Sequence, residues 1–304
     1  MSVYKSLSSQ LGITAASLLI CLACACHPEP EPPLGISDEF ETVPEKFPIA
    51  PGIIDEASGL AQSHSMSGFL WTIQDAQGPN SLYLVNKDGK SIKEINVPGT
   101  VNRDWEEVAS GPGPADGANY IYIGDIGNNN APTAPSCTIY RVREINDPNA
   151  FFNESMVEKI NFTYPDGPRD AESLIVDPVT KDIFVIAKGL TSGIYRLPYP
   201  QSTGEMMTAE KVGDIPSVSI ATGATISRDG SEILVRTYLA VHYWRREEGQ
   251  TIAETITKPS RKILTVAIEP QGESVCFDLD GSGFYTLSER SNASSVSLNF
   301  YKRK

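Results

Sequence analysis

Histidine is scarce in this chain of 304 residues, which holds three, and cysteine is nearly as rare, with five. His27 lies in a proline-rich stretch, His64 in a polar turn and His242 in a strand-like run. A Ser-His-Asp triad needs a placed histidine and a histidine-based zinc site needs several, so neither chemistry is expected. Cys21, Cys24 and Cys26 fall near the start of the chain, which leaves Cys137 and Cys276 for the rest. Cys137 and Cys276 belong to no CxxC pair and are read as small apolar packing residues. Basic residues are also few, 25 Lys and Arg against 38 Asp and Glu, for a net charge of −13. Nucleic acid and anionic lipid both demand basic surface, so both are excluded as partners. No heptad and no helix-period stretch longer than a turn or two occurs. Of three tryptophans, Trp71 and Trp244 read as packing residues, whereas Trp105 stands beside acids and can stack on a ligand.

What the chain does have is a repeat. Five short segments match: Glu56-Ala57-Ser58-Gly59-Leu60, Asp104-Trp105-Glu106-Glu107-Val108, Asp170-Ala171-Glu172-Ser173-Leu174, Ile220-Ala221-Thr222-Gly223-Ala224 and Gln271-Gly272-Glu273-Ser274-Val275. Their third positions, at 58, 106, 172, 222 and 273, are 48, 66, 50 and 51 residues apart. A period near 50 residues marks radially or linearly repeated units. Each copy opens an apolar run and precedes a second strand-like run, such as Leu70-Trp71-Thr72-Ile73 or Ile183-Phe184-Val185-Ile186. A third run carries Tyr83, Tyr140, Tyr195, Tyr243 or Leu298 at matched places. Three or four short strands per unit, joined by polar turns, make a β-propeller blade. The expected fold is therefore all-β, a five-bladed propeller over residues 39–304. A six-bladed count would need a further repeat in the blade-two insertions, residues 127–136 and 144–155, and none is visible there. The fifth blade has three strands before the chain ends. An unpaired edge is an aggregation liability, and Glu39-Phe40-Glu41-Thr42-Val43, which alternates polar and apolar, is expected to close it.

Residues 1–26 read as a leader. Lys5 supplies one positive charge, and residues 11–26 are apolar, nearly uncharged and too short to span a bilayer. The ending Leu22-Ala23-Cys24-Ala25-Cys26 is similar to a bacterial lipobox, with Cys26, or failing that Cys24, as the lipidated residue. Residues 27–38, rich in proline and glutamate, form an extended tether. The expected product is an exported, lipid-anchored monomer in the periplasm or at the cell surface, touching the membrane through its anchor alone.

Antiparallel pairing puts first-strand entry and second-strand exit on one face of a propeller. Ser58, Glu106, Glu172, Thr222 and Glu273 stand at entry, with Glu56, Asp104, Asp170 and Gln271 two places earlier. Asp75, Asp125, Lys188, Tyr238 and Glu289 stand at exit. So many acids around one axis repel unless neutralised. Arg103, Arg169, Lys188, Arg236 and Arg290 are candidate counter-charges, and Ca²⁺, which takes several carboxylate oxygens, is the other solution. Entry residues that bond the neighbouring blade's backbone provide a purely architectural reading of the same repeat.

Several segments, namely Arg103-Asp104-Trp105-Glu106, Gly124-Asp125-Ile126-Gly127-Asn128, the run from Tyr164 to Glu172 and Glu269-Pro270-Gln271-Gly272-Glu273, resemble bacterial secreted and lipoprotein β-propellers of largely unassigned function. Asp170-Ala171-Glu172-Ser173-Leu174 is more distantly similar to the esterase-like phytase propellers, a likeness that implies Ca²⁺-assisted phosphoester hydrolysis. Two function classes follow. One is a non-catalytic propeller that binds a small molecule or another envelope protein on its acid-lined face, with Asp75, Trp105, Asp125, Tyr238 and Glu289 as ligand contacts. The other is a Ca²⁺-dependent hydrolase of phosphoesters, esters or lactones. There Glu106, Glu172 and Glu273 hold metal, Asp104 or Asp170 orients water, and Lys188 and Arg236 stabilise negative charge.

Overall fold

In a computed structural model of the chain, residues 35–36, 39–75, 78–129, 133–260 and 262–304 are described. The leader, Cys24, Cys26 and nearly all of the tether lie outside the described residues. Every blade starts at the axis with a repeat segment and steps outward through antiparallel neighbours. The inner strands are Ala57–Gln62, Trp105–Pro112, Ala171–Val176, Gly223–Ile226 and Gln271–Phe277. Each touches the inner strand of the next blade, and the fifth touches the first, so five sheets close into a ring. Inner strands are buried almost throughout, as a strand flanked by two other blades must be. Apolar clusters fill the seams between blades. Trp71, Ile73 and Leu84 of blade one meet Val108, Ile121 and Tyr140 of blade two, for example. Cys137 and Cys276 are buried free thiols.

The closing strand is not the expected one. Glu45–Ile49 pairs with Val296–Lys302, with Phe47 opposite Leu298 and Ile49 opposite Val296. Residues 39–43 contribute an isolated bridge between Phe40 and Arg303 instead. Pro48 makes residues 45–49 look broken in sequence, yet proline is tolerated on an outermost strand, whose far side needs no donor. Phe40 is buried between blades four and five, its ring 5.0 Å from Phe284 and 6.2 Å from Tyr243. Val43 is exposed. Two outer edges are also extended by short parallel segments, Met207–Thr208 on blade two and Gly35–Ile36 on blade four. Glu210–Ile215 is the outer strand of blade three. Among the described residues the only α-helix is Ile252–Ile256, started by a Thr251/Glu254 capping box. None is long and apolar enough to cross a membrane.

Candidate functional site

Pairing confirms the geometry of the acid-lined face. Trp105 lies opposite Asp125, Ala171 opposite Ala187, Gln271 opposite Glu289 and Ala57 opposite Gln74, so strand entry and strand exit meet at one end of the axis. Within three inner strands the register slips at the glutamate: between Trp105 and Glu107, between Ala171 and Ser173, and between Gly272 and Ser274. Glu106, Glu172 and Glu273 are thus bulge residues, left out of the ladder and re-aimed toward the axis. In blade one the slip falls at Gly59, one place after Ser58. Blade four pairs regularly from Gly223 to Ile226.

The two hydroxyl copies of the repeat act as staples. Ser58 Oγ donates to the Glu106 carbonyl at 2.6 Å, and Thr222 Oγ1 donates to the Gly272 carbonyl at 3.0 Å, each crossing to the next blade. The glutamates do not repeat this bond. Glu106, Glu172, Glu273 and Glu289 are all buried, yet Glu106 Oε1, Glu172 Oε2, Glu273 Oε2 and Glu289 Oε1 have no hydrogen-bond partner among the described residues. Buried polar atoms are nearly always satisfied, so four orphaned oxygens around one axis call for a cause.

Their electrostatics agree. Burial, then the charges of Glu172 and Asp75, push Glu106 well above the usual carboxylate range. Burial, then Glu273, raises Glu172 to about 8, against the opposing pull of Lys188. Glu289 rises to about 9 through burial and then the adjoining Glu273. Asp104 rises to about 6, through burial and then Asp75. Burial is the largest cause of each shift, and the neighbouring acids add to it.

Two halves of the ring differ. In the first, Asp75, Asp104 and Glu106 bring one carboxylate oxygen each within 4.8 Å of one another. Asn102 donates to the Gln74 and Asp75 carbonyls at 3.0 and 3.2 Å while accepting from Trp105 N, which ties blade one's exit to blade two's entry. Asp125 accepts from Asp104 N at 3.0 Å and lies 3.4 Å from Arg103. Gly127 crosses directly over the cluster, where any side chain would collide with Glu106 Oε1 and the Asp104 carboxylate. The same loop continues to Asn128, whose amide donates to Asp170 at 2.8 Å. In the second half, Lys188 ion-pairs with Glu172, donates to Tyr238 Oη at 2.9 Å and stands 5.3 Å from the Tyr238 ring. Burial opposes its charge, but Glu172 raises its pKa nonetheless. Glu273 accepts from Gln271 at 3.0 Å and adjoins Glu289.

Other expected contacts are placed elsewhere. Trp105 is fully buried, its Nε1 donating to Val101 O and its ring packed against Tyr140, so it has no face for a ligand. Arg236 is fully buried in the seam between blades four and five, paired with Glu269 and donating to Ser274 O, rather than lining the mouth. Arg169 and Arg290 pair with Asp166 and Asp55, while Arg103 and Lys188 pair with Asp125 and Glu172 of the acid-lined face. A cleft of about 530 Å³ opens beside Asp170 and Lys188. A slightly larger one, on the outer side of blade four, lies away from the acids.

Glu107 went unread in the sequence. It is fully buried below the ring and reaches across the axis, accepting from Leu60 N of blade one, Val108 N of its own blade and Ala224 N of blade four. The fourth positions of the five repeats are Gly59, Glu107, Ser173, Gly223 and Ser274. One large residue among four small ones is the signal of an axial plug. A Cβ at Gly59 would sit 2.8 Å from Glu107 Oε1, so the small residues make its space. The chain matches no protein-family model, and no curated protein is significantly similar to it in sequence.

Proposed function

We propose that this chain is a binding propeller of the cell envelope, anchored through Cys26, that holds calcium and a ligand at its acid-lined axial mouth without catalysing a reaction. The observation that carries this reading is Glu106, 2% exposed, with an unpartnered oxygen beside the Asp75 and Asp104 carboxylates. Calcium binds oxygen at about 2.3–2.6 Å, so two ligands of one ion lie at most about 5 Å apart. The 4.8 Å limit of this cluster fits that span. All three donors are carboxylates, which suits a hard cation and not zinc or copper. The metal set is accordingly drawn as Asp75, Asp104 and Glu106, in place of a ring of Glu106, Glu172 and Glu273. Glu172 already has Lys188, and Glu273 adjoins Glu289.

Against a hydrolase stands the engagement of the groups it would use. Arg236 is committed to Glu269, and Lys188 to Glu172 and Tyr238. No set of nucleophile, base and anion-stabilising donors converges among the described residues.

Calorimetric titration of chelator-treated protein with CaCl2 tests the proposal. One calcium per chain is expected, with affinity reduced about tenfold or more in Asp104→Asn, since a ligand charge is lost. Absence of binding, or equal binding by the variant, would overturn the metal assignment. Calcium-dependent turnover of a chromogenic phosphoester or ester would instead favour the hydrolase.

A further inference from the structure

The half of the mouth that the calcium assignment leaves unused has a different character. Glu172, Glu273 and Glu289 are 3–4% exposed, and each keeps one oxygen without a partner. Beside them the chain seats an ammonium of its own. Lys188 Nζ pairs with Glu172 and donates to Tyr238 Oη at 2.9 Å, so a carboxylate and a phenol oxygen seat a cation together.

The rim here is apolar. Leu190 and Leu239, in the turns that leave the second strands of blades three and four, are 88% and 85% exposed. Ile220, at the entry to blade four, is 38% exposed. These residues belong to one bonded network. Ile220 N donates to Gly189 O at 2.7 Å, Ser219 Oγ to Leu190 O at 2.8 Å, and Lys188 joins Tyr238, next to Leu239. Ile220 also has a φ of 58°, in the left-handed region that a β-branched residue seldom enters. Such strain collects at binding sites, where the surroundings enforce it. Unpartnered acid oxygens and an exposed aliphatic rim at one end of the axis are complementary to one kind of group.

We propose that the Glu172–Glu273–Glu289 side of the mouth is a second subsite, which takes an ammonium group carried on an apolar stem. The ammonium enters between Glu273 and Glu289, and the stem lies over Leu239, Ile220 and Leu190. This rests on the axial mouth being a binding face and names the chemistry of its ligand; it does not require the calcium. A free alkylamine and a lysine side chain of a partner protein share that chemistry.

Calorimetric titration of the calcium-treated protein with methylamine, n-pentylamine, 1-pentanol and N-acetyl-lysine methylamide tests it. Pentylamine is expected to bind about tenfold or more tightly than methylamine, because each buried methylene adds affinity, and pentanol not at all. Glu289→Gln should weaken pentylamine about tenfold, through the lost charge-assisted bond. Leu239→Ser, an exposed change that leaves the core alone, should bring the pentylamine-to-methylamine ratio toward one. Tighter binding of the lysine amide would assign the ligand to a partner protein, and tighter binding of pentylamine to a free amine. Equal binding of pentanol and pentylamine, or an unaltered Glu289→Gln variant, would overturn the subsite. Calcium titrations on the same samples separate the two proposals. Calcium binding without amine binding sinks this inference alone, whereas amine binding without calcium leaves it standing and sinks the metal assignment.

Discussion

Glu106 and Glu107 are consecutive, both buried and both carboxylates, yet they are opposite in kind. Glu107 places both oxygens on backbone amides, at 3.0 Å to Ala224, 3.1 Å to Val108 and 3.3 Å to Leu60. Glu106, turned out of the ladder by the bulge, keeps Oε1 without a partner among other acids. One glutamate holds three strands around the axis, and the other keeps an oxygen that none of the described residues bonds. Burial alone therefore does not mark a functional carboxylate. What marks it is burial without satisfaction, since a group that weakens the free fold is retained only where something else completes it.

The comparison breaks most visibly at Glu107. Glu107→Ala orphans three buried amides from two other strands and its own, and should cost on the order of 3–5 kcal/mol. Urea unfolding measures this, and the loss should be the same in calcium and in chelator, because Glu107 plays no part in the mouth.

Acidity sharpens the contrast next. Glu172, at about 8, and Glu289, at about 9, bind protons in the folded state more tightly than in the unfolded chain. Between the ordinary carboxylate range and those values the folded state holds more protons, so stability must fall as pH rises. Below the unfolded pKa the contribution is complete, and it is lost by about pH 9. Chelator-treated protein should thus melt at a lower temperature at pH 8.5 than at pH 5.5. A melting temperature that rises over that interval would contradict the acid ring as described.

The blade count was open to sequence because it depends on a repeat and on strand periodicity, which are local. The closing strand was not, because Pro48 reads as a breaker until one knows that residues 45–49 sit at an outer edge. Lys188, Tyr238 and Glu172 were placed on one face by antiparallel pairing, and they do meet. Arg236, a candidate counter-charge for the same mouth, turns instead into the seam, toward Glu269. Antiparallel pairing gives the strand end a residue belongs to, while a partner on the next blade decides where its side chain goes. Trp105 was misjudged similarly, since its neighbours in sequence are acids and its neighbours in space are Tyr140 and Val101. Gly127 was read only as the start of a blade-two insertion and as part of a segment of resemblance, although it passes closely over the Asp104 and Glu106 carboxylates.

The smallest expected effect is also the most telling one. Glu106→Gln and Glu107→Gln differ by one position and by the same atoms, and their melting temperatures can be compared with wild type in calcium and in chelator. In chelator, Glu106→Gln should leave stability unchanged or raise it by about 1 kcal/mol, because it removes repulsion from Asp75, Asp104 and Glu172. In calcium the same change should lower stability, because it removes a ligand charge, while Glu107→Gln lowers stability equally in both. Opposite signs for Glu106→Gln in the two conditions are the result predicted by an axial cation site. An equal loss in both would make Glu106 a structural residue like its neighbour and would contradict the site.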